Sequence, residues 1–546
     1  MKRGTFVDPK TKYQGKLPFL AVVVITWAIV SMACYRSTAM PSFTAATAWA
    51  VQLTAVVPPS PTPYSPPVRG GSSDLAPTAV ATEEPEHISS PQPTRPSPTP
   101  VFKTPTVSTD SAPVTLYYAQ AGDTLPVLAV RFGVSVEEIS SPDPLPEKGL
   151  INPNQLLVIP NRLSAIGPSD LLLPDSEIVY SPSAIDFNTA SYLREAGGYL
   201  SAQRQYLGDG WNSSAQVIER VATENSINPR LLLALLEFKG NWVHGQPEYP
   251  AQIEYPLGFI NLRHKGLFAQ LNWVVQQLSI GYYGWRAGLV TELTFRGSDT
   301  PLRMAPELNA GSAALQYLFS KLYTQEQWSE ALYGSDNFVA VYERMFGNPW
   351  QRAQTVEPLY PTNLAQPTLE LPFLPSQPWA LTGGPHSAWG PDGALAALDF
   401  APLAAETGCV ESDAWVTASA SGLVTRSRGG VVALDLDADG HEQTGWVILY
   451  LHVATRNRVP VGSLLSVDDR IGHPSCEGGF STGTHVHIAR KYNGEWILAD
   501  GPIPFVLSGW VAGAGAEPYK GTLTKGDTIV TANVFASRES LVTRAP

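Results

Sequence analysis

Residues 478–488 read GGFSTGTHVHI and decide how the C-terminal third of this chain is interpreted. Apolar residues alternate with His485 and His487 at the end of the segment, which is the period of a β-strand. Residues two apart in a strand face the same side, so both imidazoles point into one space. Two imidazoles beside a glycine-rich loop predict a metal or catalytic site. The alternative is a pair of surface histidines.

The sequence around this segment has β character from Leu371 onward. The runs 414–422, 429–436 and 445–453 carry β-branched residues next to Gly and Asp turns, and the third contains His452. A zinc hydrolase needs about three protein ligands and an open position for water. His386, Asp399 and His487 can supply these ligands, and His452 and His485 are candidates to act on the water and the substrate.

Residues 380–490 resemble the M23 (lysostaphin-like) zinc peptidases. Three motifs carry the resemblance, and they occur in the same order as in that family. ALDFAP at 397–402 resembles the Asp ligand motif, YLH at 450–452 the Tyr-x-His strand, and STGTHVH at 481–487 the closing His-x-His motif. The resemblance implies that Asp399 and His487 bind Zn²⁺, while His452 and His485 polarise water and stabilise the oxyanion.

The third ligand departs from the common M23 pattern. Many members carry a histidine four residues before the Asp, where this chain has Leu395. The longer spacing from His386 to Asp399 resembles the β-lytic, staphylolysin-like branch of the family. This resemblance makes His386 the expected third ligand, and an exposed loop histidine is the alternative.

The remaining chemistry of this region concerns Cys409 and Cys476, two of the three cysteines. Neither belongs to a CxxC-type pair, so a zinc role is not expected. An exported protein meets oxidising conditions, and we therefore predict a disulfide between them. Two buried free thiols are the alternative.

Residues 114–161 predict a strand, a helix beginning near Asp123 or Thr124, a second short helix and a closing strand. AGDTL at 121–125, RFGVS at 131–135 and PNQ at 153–155 resemble the LysM domain. The resemblance implies binding of N-acetylglucosamine-containing glycans such as peptidoglycan, through Gly122, Asp123, Thr124, Ile151 and Asn152. A domain that has kept the fold without the sugar is the alternative.

Residues 184–355 predict helices, with apolar residues at three- and four-residue spacing. The segment 227–242 resembles the active-site helix of lysozyme-like lytic transglycosylases, but Lys239 and Gly240 stand where those enzymes carry Glu and Ser. A lysine cannot protonate a glycosidic oxygen as a carboxylic acid with a raised pKa does. We therefore expect a non-catalytic domain, and glycan cleavage that uses Glu237 is the alternative.

The N-terminal region predicts export. A basic lead and an apolar run from Leu17 to Ala33 fit either a cleaved signal peptide or a membrane anchor within residues 1–37, and Cys34 is a candidate for lipidation. Residues 38–113 are rich in Pro, Ser and Thr and predict a disordered stalk. A net charge of −12 without a basic patch argues against nucleic acid as a partner.

The sequence thus predicts a multidomain protein of the cell envelope, secreted or membrane-anchored. It would combine a small α+β LysM-like module (114–161), a mainly α lysozyme-like domain (184–355), a mainly β M23-like peptidase domain (371–507) and a tail (508–546) without an assigned role. The expected activity is zinc-dependent hydrolysis of amide bonds in peptidoglycan. The alternatives are a non-catalytic wall-binding or regulatory protein, and glycan cleavage by the helical domain.

Overall fold

The computed structural model describes residues 113–404 and 408–545. The predicted signal peptide or anchor, Cys34 and nearly all of the predicted stalk lie outside these residues. Within the described residues, no helix is both long enough and apolar enough to cross a bilayer.

The first ordered module is a two-stranded sheet with one helix. Strand β1 (Val114–Tyr118) pairs antiparallel with β2 (Leu156–Pro160). Helix α1 (Leu125–Phe132) lies between the two strands in the sequence. Thr124 caps the N-terminus of α1, and Gly133 ends it in the left-handed conformation at φ 66°. The predicted second helix is a single 3₁₀ turn, Val136–Glu138.

The middle of the chain is helical. Two hairpins, β3 (Arg204–Leu207) with β4 (Gly210–Ser213) and β5 (Glu292–Leu293) with β6 (Leu302–Arg303), lie among its helices. The helices are α2 (Thr189–Ala196), α3 (Tyr199–Ala202), α4 (Ser214–Asn225), α5 (Pro229–Gly240), α6 (Pro250–Glu254), α7 (Leu267–Arg286), α8 (Ala310–Leu322), α9 (Gln325–Tyr333), α10 (Phe338–Phe346) and α11 (Pro349–Ala353). Asn228 caps α5, whose run from Leu231 to Leu236 is buried.

The C-terminal region is β-rich. Its main sheet has nine strands within the described residues, in the order β13-β10-β11-β12-β15-β8-β7-β21, with β16 paired to β15. The strands are β7 (Trp379–His386), β8 (Ala397–Pro402), β9 (Val416–Thr417), β10 (Gly422–Arg428), β11 (Val431–Asp435), β12 (Trp446–Leu451), β13 (Leu464–Leu465), β14 (Arg470–Gly472), β15 (Val486–Tyr492), β16 (Glu495–Trp496), β17 (Val506–Leu507), β18 (Trp510–Ala514), β19 (Gly521–Lys525), β20 (Thr528–Thr531) and β21 (Leu541–Val542).

The residues after 507 continue this β-rich region. Strands β17 to β20 form a four-stranded sheet, and β21 pairs with β7 of the main sheet. Trp510 and Leu523 are buried in the same core as Phe400 and Ile488. The segment predicted as a tail without a role is therefore built into the fold that carries the histidines.

Arg286 ties the three regions together. Its buried guanidinium lies 2.9 Å from Asp175 Oδ2 in the helical region and 3.1 Å from Glu495 Oε1 on β16. It also donates to the backbone oxygen of Ala121 in the first module. A second link is apolar, since one continuous core includes Leu278 of α7 together with Trp496 of β16.

We predict that Arg286→Leu destabilises the whole chain. Removing the guanidinium leaves two carboxylates buried without a cation, a change that costs about 3–5 kcal/mol. Urea denaturation followed by tryptophan fluorescence measures the loss. Arg344→Leu is the matched control, because Arg344 is exposed and lies 3.9 Å from its partner Asp336. Equal midpoints for the two variants would contradict a central role for Arg286.

Candidate metal and catalytic site

The strand register brings the predicted ligands to one place. His487 on β15 lies directly across from Asp399 on the neighbouring β8. On the other side of β8, the pairing with β7 is irregular between Leu381 and His386, and these irregularities deliver His386 to the same point. All three side chains are buried.

Glycine at position 383 gives the carboxylate its space. Gly383 pairs with Asp399 across β7 and β8. A Cβ at this position would lie 2.6 Å from Asp399 Oδ2, which is too close for any real contact. A side chain at position 383 would therefore displace the carboxylate.

The three ligand atoms form a nearly equilateral triangle. Asp399 Oδ1 lies 3.2 Å from His386 Nε2 and 3.3 Å from His487 Nδ1, and the two nitrogens are 3.0 Å apart. Zinc bonds of about 2.0–2.1 Å in a tetrahedron place neighbouring ligand atoms about 3.3 Å apart. Asp399 Oδ1 is buried and has no hydrogen-bond partner with proper geometry. The triangle therefore fits one face of a tetrahedral zinc site.

Backbone carbonyls fix which nitrogen of each ring faces the triangle. His386 Nδ1 lies 2.8 Å from the oxygen of Gly384, and His487 Nε2 lies 3.1 Å from the oxygen of Ala388. If each of these nitrogens donates its proton to the carbonyl, His386 Nε2 and His487 Nδ1 keep free lone pairs. A hydrogen bond from the second ring nitrogen to a carbonyl is the usual arrangement around metal-binding imidazoles.

The electrostatics of the site favour a charged carboxylate. Burial alone would raise the pKa of Asp399, but the imidazoles of His386 and His485 hold it well below its ordinary value. Burial lowers the pKa of His487, with the Asp399 carboxylate opposing the change. An anionic oxygen beside a neutral imidazole is the donor set that a divalent cation requires.

His452 and His485 lie next to the triangle. Their ring centroids are 4.5 Å apart, and His485 Nε2 lies 3.6 Å from Asp399 Oδ1. His452 follows the end of β12 with φ 63°, and its Nδ1 lies 3.0 Å from the oxygen of Glu477. Burial, then the nearby His485 and His487, lowers the pKa of His452 to about 3. A neutral His452 can accept a proton at Nε2.

The predicted disulfide is present and holds the loops beside these histidines. Cys409 and Cys476 are bonded, with Cα atoms 5.7 Å apart. The backbone nitrogen of Thr484 donates to the oxygen of Gly408, which attaches the glycine-rich loop to the Cys409 segment. The disulfide thus fixes the position from which His485 enters the site.

Tyr519 is a site residue that sequence reasoning missed. Its ring stacks on His386 with centroids 4.1 Å apart, and its backbone exchanges hydrogen bonds with Gly384 and Pro385. It lies between β18 and β19, in the segment predicted as a tail. Its distance from His386 in sequence hid this role, because no local pattern links the two positions.

The predicted glycan-binding residues are mostly turned inward. Asp123 accepts hydrogen bonds from Tyr117, Gln120 and Arg131, and it is fully buried. Thr124 caps α1, Ile151 belongs to the module's core, and Arg286 covers Gly122, while Asn152 is exposed. Asp123, Thr124 and Ile151 thus stabilise the module and do not face solvent, and sugar binding at this edge stays a prediction.

Glu237 has a structural position at the end of α5. Its Oε2 accepts from the backbone nitrogens of Val243 and His244 at 2.8 and 3.1 Å. Lys239, which occupies the place of the expected catalytic acid, is paired with the hydroxyl of Tyr323, and burial lowers its pKa to about 8. Neither contact resembles the surroundings of a protonated carboxylic acid.

Comparison with known proteins relates this chain to one protease. The family described as LasA, N-terminal domain, matches residues 171–361. Protease LasA of Pseudomonas aeruginosa strain UCBPP-PA14 is 27% identical over 349 residues, which is 61% of this chain and 76% of the relative. The chain is a metalloendopeptidase related to LasA. The same figures hold for LasA of strain PAO1.

Solved structures of M23 peptidases also resemble this LasA-related peptidase. The M23 metalloprotease pseudoalterin from deep sea is 22% identical, covers 33% of this chain and 100% of its own, and has a TM-score of 0.27. The catalytic domain of lysostaphin from Staphylococcus simulans is 23% identical, covers 22% of this chain and 87% of its own, and has a TM-score of 0.17. The match at 171–361 relates the helical region to LasA, and its lysozyme-like character stays a prediction.

We predict that Gly383→Ala lowers zinc affinity without unfolding the chain. The added methyl group pushes Asp399 out of the ligand triangle, and loss of one ligand's geometry weakens binding by about tenfold or more. Competition with a chromophoric chelator measures the dissociation constant. Gly208→Ala is the control, because no atom lies within 4 Å of a Cβ there and its backbone is not in the left-handed region. Unchanged affinity in Gly383→Ala would contradict Asp399 as a ligand.

We also predict different effects for two substitutions of Tyr519. Tyr519→Phe keeps the ring on His386 and keeps zinc affinity. Tyr519→Ala frees the imidazole and lowers affinity by about tenfold. The same chelator competition separates them. Equal affinities for the alanine variant and the unsubstituted chain would show that the stacking does not position His386.

Proposed function

We propose that this protein is a zinc-dependent endopeptidase that cleaves amide bonds in the peptide stems or cross-bridges of peptidoglycan. The observation that carries the proposal is the ligand triangle of His386, Asp399 and His487, with His452 and His485 beside it. Three protein ligands that leave a fourth position open are typical of a catalytic zinc site.

The roles proposed for the residues follow from their free atoms. Zinc held by His386, Asp399 and His487 would act as a Lewis acid and lower the pKa of water. His452 is neutral, and its Nδ1 is engaged with Glu477. Its Nε2 therefore receives the proton of the attacking water and passes it to the leaving amine. His485 donates from Nδ1 to the oxygen of Gly483, and its Nε2 faces Asp399. In its protonated form it would donate from Nε2 to the substrate oxygen as negative charge develops there.

The proposed substrate is supported by the similarity to known peptidases and by the predicted location outside the cytoplasm. The chain is related to a protease, LasA, and resembles lysostaphin, which is described as an antimicrobial peptidase. A disulfide at the edge of the site suits an oxidising environment outside the cytoplasm. Peptidoglycan is the amide-rich polymer that a bacterial peptidase meets there.

The module at 114–161 is proposed to tether the enzyme to glycan, which would raise the local concentration of substrate. Among the five residues expected to bind sugar, the exposed one is Asn152. Arg286 covers Gly122 from the helical region.

We predict that the purified protein releases peptides from peptidoglycan, and that a chelator abolishes the release. Mass spectrometry of the products should show new amino and carboxyl termini and intact glycan strands. His452→Ala should lower kcat by about 10²–10⁴, because it removes a general base.

Glu237→Gln is the informative comparison, and it should leave peptide release unchanged. Products with new reducing sugar ends that disappear in Glu237→Gln would instead make the helical region the working enzyme. Purified protein without stoichiometric zinc and without peptide release would favour a non-catalytic wall-binding protein.

A further inference from the structure

The loop between β11 and β12 carries three carboxylates at the end of these strands opposite to the catalytic histidines. Residues 435–440 read DLDADG, and one oxygen of each of Asp435, Asp437 and Asp439 lies within 4.8 Å of the others. Alternate oxygen ligands followed by a glycine in the sixth place are the first half of a calcium-binding loop. Gly440 has the positive φ, 91°, that the sharp turn of such a loop requires.

Asp435 gives independent evidence for a ligand at this loop. The residue is completely buried, and its Oδ1 has no hydrogen-bond partner, while its Oδ2 accepts from the nitrogen of Gly440 at 2.9 Å. A buried carboxylate oxygen without a donor is costly unless something else satisfies it. Among the ion pairs of the described residues, none involves Asp435, Asp437 or Asp439.

We propose that this loop binds one Ca²⁺ ion through the carboxylates of Asp435, Asp437 and Asp439. Calcium accepts oxygen ligands in flexible geometry, whereas Mg²⁺ demands a near-ideal octahedron and keeps several waters. The loop therefore selects Ca²⁺ over Mg²⁺. Backbone oxygens of the loop and water complete the coordination.

The proposed site is weak because the loop lacks the last ligand of the pattern. The twelfth position, which is usually a bidentate Glu, is Trp446. Glu442 is nearby, but Arg426 at 2.8 Å and Lys491 at 3.0 Å already engage it. With three carboxylates, we expect a dissociation constant of about 10⁻⁴–10⁻³ M, the range of extracellular calcium modules.

The ion would stabilise one corner of the β-rich region. Asp435 pairs with Val447 across β11 and β12, so the loop closes this hairpin. Gly445 exchanges hydrogen bonds with Asn493 in the turn between β15 and β16, two residues before Glu495, which binds Arg286. His452 follows the opposite end of β12. Calcium should therefore raise stability without entering the peptidase chemistry.

Calorimetric titration of CaCl₂ into the zinc-loaded full chain tests the proposal. We expect the unsubstituted chain to bind one Ca²⁺, and to bind Mg²⁺ more weakly than Ca²⁺ when MgCl₂ is titrated instead. Asp437→Asn should bind Ca²⁺ with about tenfold lower affinity. Asp437 is exposed, so this variant retains the fold. Asp336→Asn is the matched control, because its carboxylate is exposed far from the loop.

Thermal unfolding provides the second readout. The Tm of the unsubstituted chain and of Asp336→Asn should rise with CaCl₂, and the Tm of Asp437→Asn should rise much less. No heat of binding and no change of Tm up to about 10 mM CaCl₂, or equal binding by Asp437→Asn, would overturn the proposal. Loss of peptidase activity has no bearing on this result, because both readouts follow calcium alone.

Discussion

The buried carboxylate of Asp399 is the constraint on which the site depends. It lies across from His487 in the sheet and beside Gly383, whose missing side chain gives it room. Its Oδ1 lacks a hydrogen-bond donor of its own and is surrounded by imidazole nitrogens at 3.2–3.6 Å. An anion in this position is stable only with a cation or a protonated imidazole nearby, and the proposed Zn²⁺ would supply that positive charge.

The described regions of the chain form one body with this site. Arg286 connects the first module, the helical region and β16 through a single buried guanidinium. The helical region and the β-rich region share one continuous apolar core. The residues after 507 also belong to this body, since they supply β21 to the main sheet and Tyr519 to His386.

Local patterns predicted much of this arrangement. Helices were expected across 184–355 from apolar spacing, and the structure has them there, for example at 214–225 and 310–322, with Ser213 and Asn309 as caps. The disulfide was expected from the predicted export of the chain and is present. The two-residue spacing of His485 and His487 predicted that their side chains lie on one side of a strand. Contacts between distant segments were not predictable. The sequence places Gly122 and Asp123 just before a helix, but the packing of Arg286 against Gly122 is visible only in the structure. Tyr519 was missed for the same reason.

X-ray absorption at the zinc edge of the purified full chain tests the central claim most directly. The account predicts one zinc per chain with nitrogen and oxygen neighbours at about 2.0–2.1 Å, including the outer-shell signal of two imidazoles. In His487→Ala the signal should correspond to one imidazole. A sulfur neighbour at about 2.3 Å, or an imidazole signal that does not change in His487→Ala, would contradict a zinc site built on His386, Asp399 and His487.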